Sequence, residues 1–440
     1  MSNTKGIEPR MAAYRALVEI DRGAPSDIAL DKVVREFKLS ELDKALTWAI
    51  VLIDLRNRDF MDKAIDVFIH QNKIPYIARR VIRIGFSQIH FMDRIPPHAA
   101  VSTSVSLMKK LKKPSLAGLV NGILHKMLQL DVNDIPMPEK PIDKTAIENS
   151  HPGWLVRKWK KQYQEEFAIE LIKSNNFEPP LYLRLNIQKT SRRNLIKLFT
   201  EEEIEISIVE NFPEYLRVES SGKPSKLPGF TEGYFSIQDP AFSIPVDLMD
   251  IFPGDKVLEI GCAPGGKITH IAERYGNTID ITGIDISTER IEMARENLER
   301  LDLTGMVELR VEDFLTSTID DKYDAILIDA PCTSVGVIRR HPEIRYRRKP
   351  RDFKKMSELQ HGLIEKGVDL LKEDGRLVYC VCSNEPEEAE AHLGKLPPGM
   401  ELSIPKDEYP NNYYFENIIK TFPNIHNLDG MSTFRLQRAK

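Results

Sequence analysis

From Met11 to about Leu128 apolar positions recur three and four residues apart, through Ala12, Ala13, Ala16, Leu17 and Ile20 and again across Ile77 to Phe91. That is the period of amphipathic helices, and Gly23-Ala24-Pro25-Ser26-Asp27, Ile74-Pro75 and Ile95-Pro96-Pro97 punctuate it. An all-α module of six or seven helices is predicted over 1–135. The pattern then turns polar and proline-bearing, with Pro136, Pro138, Pro141 and Pro152, which predicts an interdomain linker over 136–150. Residues 151–240 combine one helix, Trp154 to Asn175, with strands such as Leu181 to Asn186, and predict a small α+β subdomain. After Pro240 strands and helices alternate: strands at 256–260, 280–284, 307–310, 323–329 and 376–380, helices at 266–275, 288–301 and 352–371. Alternation of this kind predicts a Rossmann-like, doubly wound parallel sheet over 241–440.

Length and composition narrow the function classes. A chain of 440 residues with 41% apolar content can bury two or three cores. No run approaches the roughly 18 apolar residues of a membrane span. Met1 to Gly6 lacks the apolar stretch of a secretory signal, so a cytoplasmic protein with no membrane partner is expected. Four cysteines in a chain of this length make no disulfide framework and would remain thiols in a reducing compartment. The net charge of −4 hides a segregation: residues 1–130 hold 21 Lys and Arg against 13 Asp and Glu, so all the acidic excess lies beyond them. A second basic run, Arg339 to Lys355, sets nine cations against Glu343 and Asp352 and begins seven residues after Cys332. Basic charge gathered in this way suits a polyanionic partner.

The turn after the strand at 256–260 reads Gly261-Cys262-Ala263-Pro264-Gly265-Gly266-Lys267-Ile268. It nearly spells a phosphate loop. A phosphate loop, however, needs a Ser or Thr hydroxyl for Mg²⁺ immediately after its lysine, where this chain has Ile268, and Pro264 removes an N–H from the cradle. The other ligand for such a turn is an adenosyl group whose ribose hydroxyls are taken by an acid at the end of the next strand. Asp285 stands there, 19 positions beyond Gly266, near the spacing seen in dinucleotide sites. A nicotinamide fold would prefer G-x-G-x-x-G, so S-adenosylmethionine is the expected cofactor.

Two more strands end on thiols, in Asp329-Ala330-Pro331-Cys332 and Tyr379-Cys380-Val381-Cys382-Ser383. Cytosine accepts a methyl group at carbon 5 only after a nucleophile adds at carbon 6. A thiolate can add, an acid must draw electrons through N3, and a base must later remove the carbon 5 proton so that the thiol can leave. Asp329 is placed to polarise the ring. Either Cys382 or Cys332 could attack, the other aiding release, and the attacking thiol needs surroundings that lower its pKa. Cys262 and Cys380 are read as packing residues. Zinc is not expected, because C-x-C has no paired C-x₂-C or H-x₃-H nearby.

These segments together resemble the RNA cytosine-5 methyltransferases of the Sun/Nop2 type, in their bacterial ribosomal RNA branch. Asp329 to Cys332 with Gly336 to Glu343 resembles the family's motif IV, and Val378 to Ser383 with Pro386-Glu387-Glu388 its motif VI. The resemblance implies that Cys382 attacks and Cys332 helps release the product. It also implies cofactor binding by Gly261, Cys262, Ala263, Pro264, Gly265, Gly266 and Lys267, with Asp285 on the ribose, Asp313 on the adenine side and Asp329 shared between cofactor and base. His151 to Leu155, Pro179-Pro180 with Arg184 and Asn186, and Gln238-Asp239 resemble the segment that precedes the catalytic domain in this family. Arg94 to Val101 and Gly118 to Leu124 are similar to a NusB-like RNA-binding module. Nearly the whole chain is covered, with departures at Val381 and in Gly430 to Phe434, which replaces an aromatic-rich strand.

The expected activity is therefore methylation of a cytidine in small-subunit ribosomal RNA by a monomeric enzyme. Two rival readings are the same chemistry on transfer RNA and a ribosome-assembly factor that keeps the fold without catalysis.

Overall fold

The computed structural model describes residues 6–69, 74–219, 224–405 and 409–439. Met1 to Lys5, on which the expectation of no secretory signal rests, lie outside the described residues. Among the described residues no helix is long and apolar enough to cross a membrane. The chain forms two compact units, one of residues 1–177 with 338–348 and the other of 178–337 with 349–440.

The first unit is helical. Helices α1 (Ile7–Asp21), α2 (Ser26–Glu36), α3 (Glu41–Val67), α4 (Tyr76–His90), α5 (Pro97–Lys110) and α6 (Ala117–Met127) enclose one apolar core that includes Leu17, Leu30, Val51, Ile82, Phe86, Leu107 and Leu124. The segment expected as a linker carries α7 (Pro141–Glu148): Pro141 opens its first turn and Asp143 faces the positive helix end. The single helix expected over 154–175 is two, α8 (Gly153–Gln162) and α9 (Glu165–Ser174), because Tyr163 adopts an extended conformation between them.

Several cations that looked available for a polyanion are engaged inside this unit. Arg83 and Asp54 form a fully buried pair at 2.7 Å, Arg58 bridges Asp54 and Asp21, and Arg80 reaches Asp21 at 2.6 Å. Lys109, Lys110, Lys112, Lys113 and Lys126 remain exposed. The run Arg339 to Lys355 is likewise divided. Arg345 is fully buried, donating to the carbonyls of Asn149, Ser150 and Asn175 and to Asn176 Oδ1, and burial pushes its guanidinium down to about 10. Lys349, Arg351, Lys354 and Lys355 stay exposed.

The second unit holds two sheets. Strands β1 (Leu181–Leu185), β2 (Ile206–Ile208), β3 (Tyr215–Val218) and β4 (Phe235–Ile237) pair antiparallel in the order β2-β3-β1-β4, with α10 (Arg192–Glu201) contributing Leu195 and Phe199 to their core. The larger sheet contains β5 (Lys256–Ile260), β6 (Asp280–Asp285), β7 (Val307–Val311), β8 (Tyr323–Asp329) and β9 (Leu371–Val381) in the parallel order β9-β8-β5-β6-β7. It is mixed rather than wholly parallel. Strands β10 (Met400–Leu402), β11 (Tyr414–Phe415), β12 (Ile418–Thr421) and β13 (Met431–Arg438) extend it antiparallel through a β13–β9 pairing. After 400 no helix among the described residues is longer than about one turn, too short for a crossover, so these strands return antiparallel.

Both faces of this sheet are covered, with side chains alternating between them. Val257, Ala325, Leu327, Val378 and Cys380 pack on one side with the helices Gly266–Tyr275 and Thr288–Leu301. Leu258, Ile326, Ile328, Leu377, Tyr379 and Val381 pack on the other with the helix Pro350–Asp369. The strand order reverses between β5 and β8, and at such a switch point α/β sheets open a crevice at the carboxyl ends of their strands.

Candidate active site

The crevice is a cavity of about 560 Å³ lined by Gly261, Asp285, Asp313, Asp329, Cys332 and Cys382, among others. Each comes from a strand end or the loop after it. Gly261 has φ +78, and a Cβ there would run into the carbonyl of Asp329, so only glycine lets β5 and β8 approach. Its N–H and that of Cys262 both donate to the Ile284 carbonyl, at 2.8 and 3.1 Å, and Gly265 N–H closes the turn onto the Cys262 carbonyl at 2.8 Å.

Of the glycine-rich loop only Gly261 lines the cavity; Cys262 to Lys267 build the turn behind it. Cys262 is buried, and burial pushes its thiol up. Ala263 N–H donates to Asp285 Oδ2 at 3.3 Å, which ties the loop to the end of β6. Lys267 reaches in another direction. Its Nζ lies 2.6 Å from Asp329 Oδ2, and despite burial the neighbouring carboxylate holds the ammonium charged.

A long-range clamp holds the helix that follows this loop. Buried Arg184, on β1, grips Glu273 through two hydrogen bonds of 3.0 Å and donates to the Gly266 carbonyl and to Thr269 Oγ1. A cation this deep is tolerated because its donors meet acceptors.

The cavity's donor set fits an adenosyl group. Asp285, Glu312 and Asp313 present carboxylates that accept from sugar hydroxyls or an amine, while Ile286, Phe314, Leu315, Leu359 and Leu363 supply apolar walls for a purine. The same acids repel a polyphosphate, which agrees with the missing hydroxyl at Ile268. Asp285 is held ready by Ser287 N–H at 3.0 Å, and Asp313 by Leu315 N–H at 3.1 Å. Sequence reasoning missed Ile286, Arg290, Phe314, Leu315, Leu359 and Leu363. The first four lie one to five residues beyond strand-end acids, a usable signal; the two leucines come from a helix distant in sequence.

At the other end of the cavity the two thiols meet, with Cys332 Sγ and Cys382 Sγ 3.0 Å apart. Either sulfur can donate in this contact; with Cys332 as donor it pulls the Cys382 thiol below its ordinary pKa, and the same contact together with burial pushes Cys332 well up. Cys380, two residues earlier, is buried in the sheet with its Sγ 3.6 Å from Asp329 Oδ1, and burial raises it too. Val381 is the last residue of β9, so Cys382 leaves the strand and becomes half-buried.

A family model described as 16S rRNA methyltransferase RsmB/F matches residues 246–437, the NusB family matches 7–129, and an RsmF/B-like ferredoxin-like domain matches 151–223. The ribosomal RNA small subunit methyltransferase B of Yersinia pestis bv. Antiqua (strain Angola) is 31% identical over 442 residues, 96% of this chain and 100% of its own length. The chain belongs to the RsmB/F family. It is an S-adenosylmethionine-dependent methyltransferase. Among solved structures, PH0851 aligns over 98% of this chain and 99% of its own with a TM-score of 0.83 at 23% identity. NSun6 from Pyrococcus horikoshii, solved with SFG, aligns over 66% of this chain and 98% of its own with a TM-score of 0.60 at 22% identity. The fold expected for an RsmB/F member, a NusB-like module, a small α+β subdomain and a Rossmann-like domain, is the fold found. Among the described residues no cluster of His, Cys, Asp and Glu could hold a metal ion.

Proposed function

We propose that this enzyme methylates carbon 5 of a cytidine in small-subunit ribosomal RNA through a covalent bond between Cys382 and the base. The observation that carries the reading is the thiol pair, 3.0 Å apart, in which the contact lowers the pKa of Cys382 and raises that of Cys332, on the wall of a cavity that also holds Asp329. S-adenosylmethionine, when bound, supplies the electrophilic methyl group. Gly261 and the turn from Cys262 to Gly266 would seat it, with Asp285 on the ribose and Asp313 on the adenine side.

Cys382 adds as thiolate to carbon 6 of the ring while N3 takes a proton from the Lys267 ammonium through Asp329, so that the electron pair gathers at carbon 5; that proton returns to Lys267 when the base is released. After methylation the carbon 5 proton must leave. Cys332 can take it as a thiolate once its own S–H proton has passed to water in the cavity; when Cys382 becomes a thioether, the hydrogen bond that with burial held the Cys332 pKa up is lost. Removal of the proton re-forms the double bond, breaks the carbon–sulfur bond and returns Cys382 as thiolate. The exposed lysines at 109–113 and 126, with Lys349, Arg351, Lys354 and Lys355, would bind the RNA backbone, and the target base would be unstacked to reach the thiols.

The ribosomal substrate is supported by the relatives' names, and bisulfite sequencing of ribosomal and transfer RNA from a deletion strain tests it. One 5-methylcytosine should vanish from small-subunit RNA. Loss only from transfer RNA would move the enzyme to that substrate, and no loss anywhere would leave an assembly factor.

A further inference from the structure

Behind the thiol pair lies a fully buried carboxylate that the chemistry above leaves without a task. Glu388 ends a short turn, Pro386–Glu388, six residues beyond Cys382. Its oxygens accept from both thiol loops. Thr333, the residue after Cys332, donates its N–H to Glu388 Oε1 at 2.7 Å and its hydroxyl to Oε2. Ser383, the residue after Cys382, donates its hydroxyl to Oε2 at 2.6 Å. Gln360 Nε2 adds a third anchor, donating to Oε1 at 3.2 Å and to the Pro331 carbonyl at 2.9 Å. Glu388, Thr333, Ser383 and Gln360 are each 0% exposed, so water does not compete for these bonds.

We propose that Glu388 is a positioning residue for methyl transfer, a bridge that fixes the two thiol loops so that Cys332 Sγ and Cys382 Sγ stay in hydrogen-bond contact. The inference rests on the reading in which Cys382 is the nucleophile. The geometry is selective: Glu388 holds the neighbour of each thiol and is not itself among the residues that line the cavity. Its charge also acts on the pair, because a carboxylate close to Cys332 disfavours a second thiolate there and leaves the shared proton on that sulfur. An ordinary structural carboxylate would steady the fold without tuning a thiol. A bridging one couples loop position to nucleophile ionisation.

The test is Glu388→Gln in the full-length chain, which keeps the shape but replaces one acceptor by a donor facing donors. Three quantities are read: methyl transfer to RNA, S-adenosylmethionine affinity, and the pH midpoint for iodoacetamide alkylation of the Cys382 peptide followed by mass spectrometry. We expect kcat to fall by about 10²-fold, as an ångström-scale misplacement does. The alkylation midpoint should rise by about one unit, while cofactor affinity stays within about twofold. Ser383→Ala, which removes one of the bridging bonds, should move the midpoint in the same direction by less and keeps the test open if Glu388→Gln does not fold. An unchanged alkylation midpoint in the two variants overturns the proposal, as does a loss of transfer matched by an equal loss of cofactor binding. Cys382→Ala separates this failure from that of the underlying reading: methyl transfer by Cys382→Ala sinks the nucleophile assignment itself, whereas an inactive Cys382→Ala beside an unaltered Glu388→Gln sinks only the bridge.

Discussion

The two halves of the catalytic cavity are built in different ways. The proposed cofactor half has a local framework: Gly261 to Gly265 form the turn between β5 and the helix Gly266–Tyr275, Asp285 ends the next strand and Asp313 follows the one after. The base half is assembled across the chain. Cys332 and Cys382 are separated by 50 residues, and their loops are joined by Glu388, by Gly336 N–H on the Cys382 carbonyl and by Gly430 N–H on the Gly336 carbonyl. The turn has its own internal closure, Gly265 N–H on the Cys262 carbonyl, beside its contacts with β6 and, at the adjoining Gly266, with Arg184, whereas the thiol pair exists only while several distant contacts persist. Binding and chemistry should therefore be separable by mutation.

The sharpest separation is expected for Cys382→Ala, with methyl transfer falling by at least about 10⁴-fold. Cofactor affinity measured by calorimetry should not change. Parallel loss of both would break the distinction between the halves. Cys332→Ala should reduce turnover by about 10²- to 10⁴-fold, the range for lost acid–base catalysis. It should accumulate a protein–RNA adduct that survives denaturing electrophoresis; an adduct from the Cys382 variant instead would exchange the two roles.

Glycine substitutions sharpen the comparison at intermediate size. A Cβ at Gly336 meets the Gly430 carbonyl, so Gly336→Ala should cost about 1–3 kcal/mol of stability and lower kcat more than cofactor affinity. Gly261→Ala, strained at φ +78 and pressed on the Asp329 carbonyl, should do the reverse. We expect a weaker cofactor affinity by about tenfold, or roughly 1.4 kcal/mol. Equal effects of both variants on both quantities would mean that the halves are not independent.

The smallest expected effect concerns pH. In the proposed mechanism Cys382 reacts as the thiolate, and a Cys332 S–H donated to it lowers its pKa, so turnover should rise with pH along a limb centred below the ordinary thiol value of 9.0. Cys332→Ala removes that donor, and the alkylation midpoint of Cys382 should then move upward by about one unit. A downward move would show that the second thiol hinders ionisation.

Much of this molecule could be read without a structure. Helices 266–275 and 288–301 and strands 256–260 and 323–329 coincide with their expected spans, because apolar runs bounded by Gly, Pro and charged residues leave few alternatives. Asp285, Asp329 and both thiols were visible as polar residues ending such runs. The basic run at Arg339 to Lys355 was read too generously, since charge counting cannot tell a cation that meets phosphate from one that, like Arg345, is itself buried and satisfies four acceptors within the fold. Helix α7 was hidden for a related reason: the prolines of 136–152 read as breakers, yet Pro141 sits at the one helical position that tolerates it.

By itself the sequence determined the α/β alternation, the failed phosphate loop at Ile268 and the presence of two thiols at strand ends. These depend on residue type and on spacing within single elements, so local rules reach them. Which thiol ionises was left open by the residues alone. Only the tertiary structure brings Cys332 to 3.0 Å from Cys382, turns Lys267 onto Asp329 and closes both thiol loops on Glu388. A pKa is set by the burial, hydrogen bonds and charges around a group, and for Cys382 those come from residues far away along the chain.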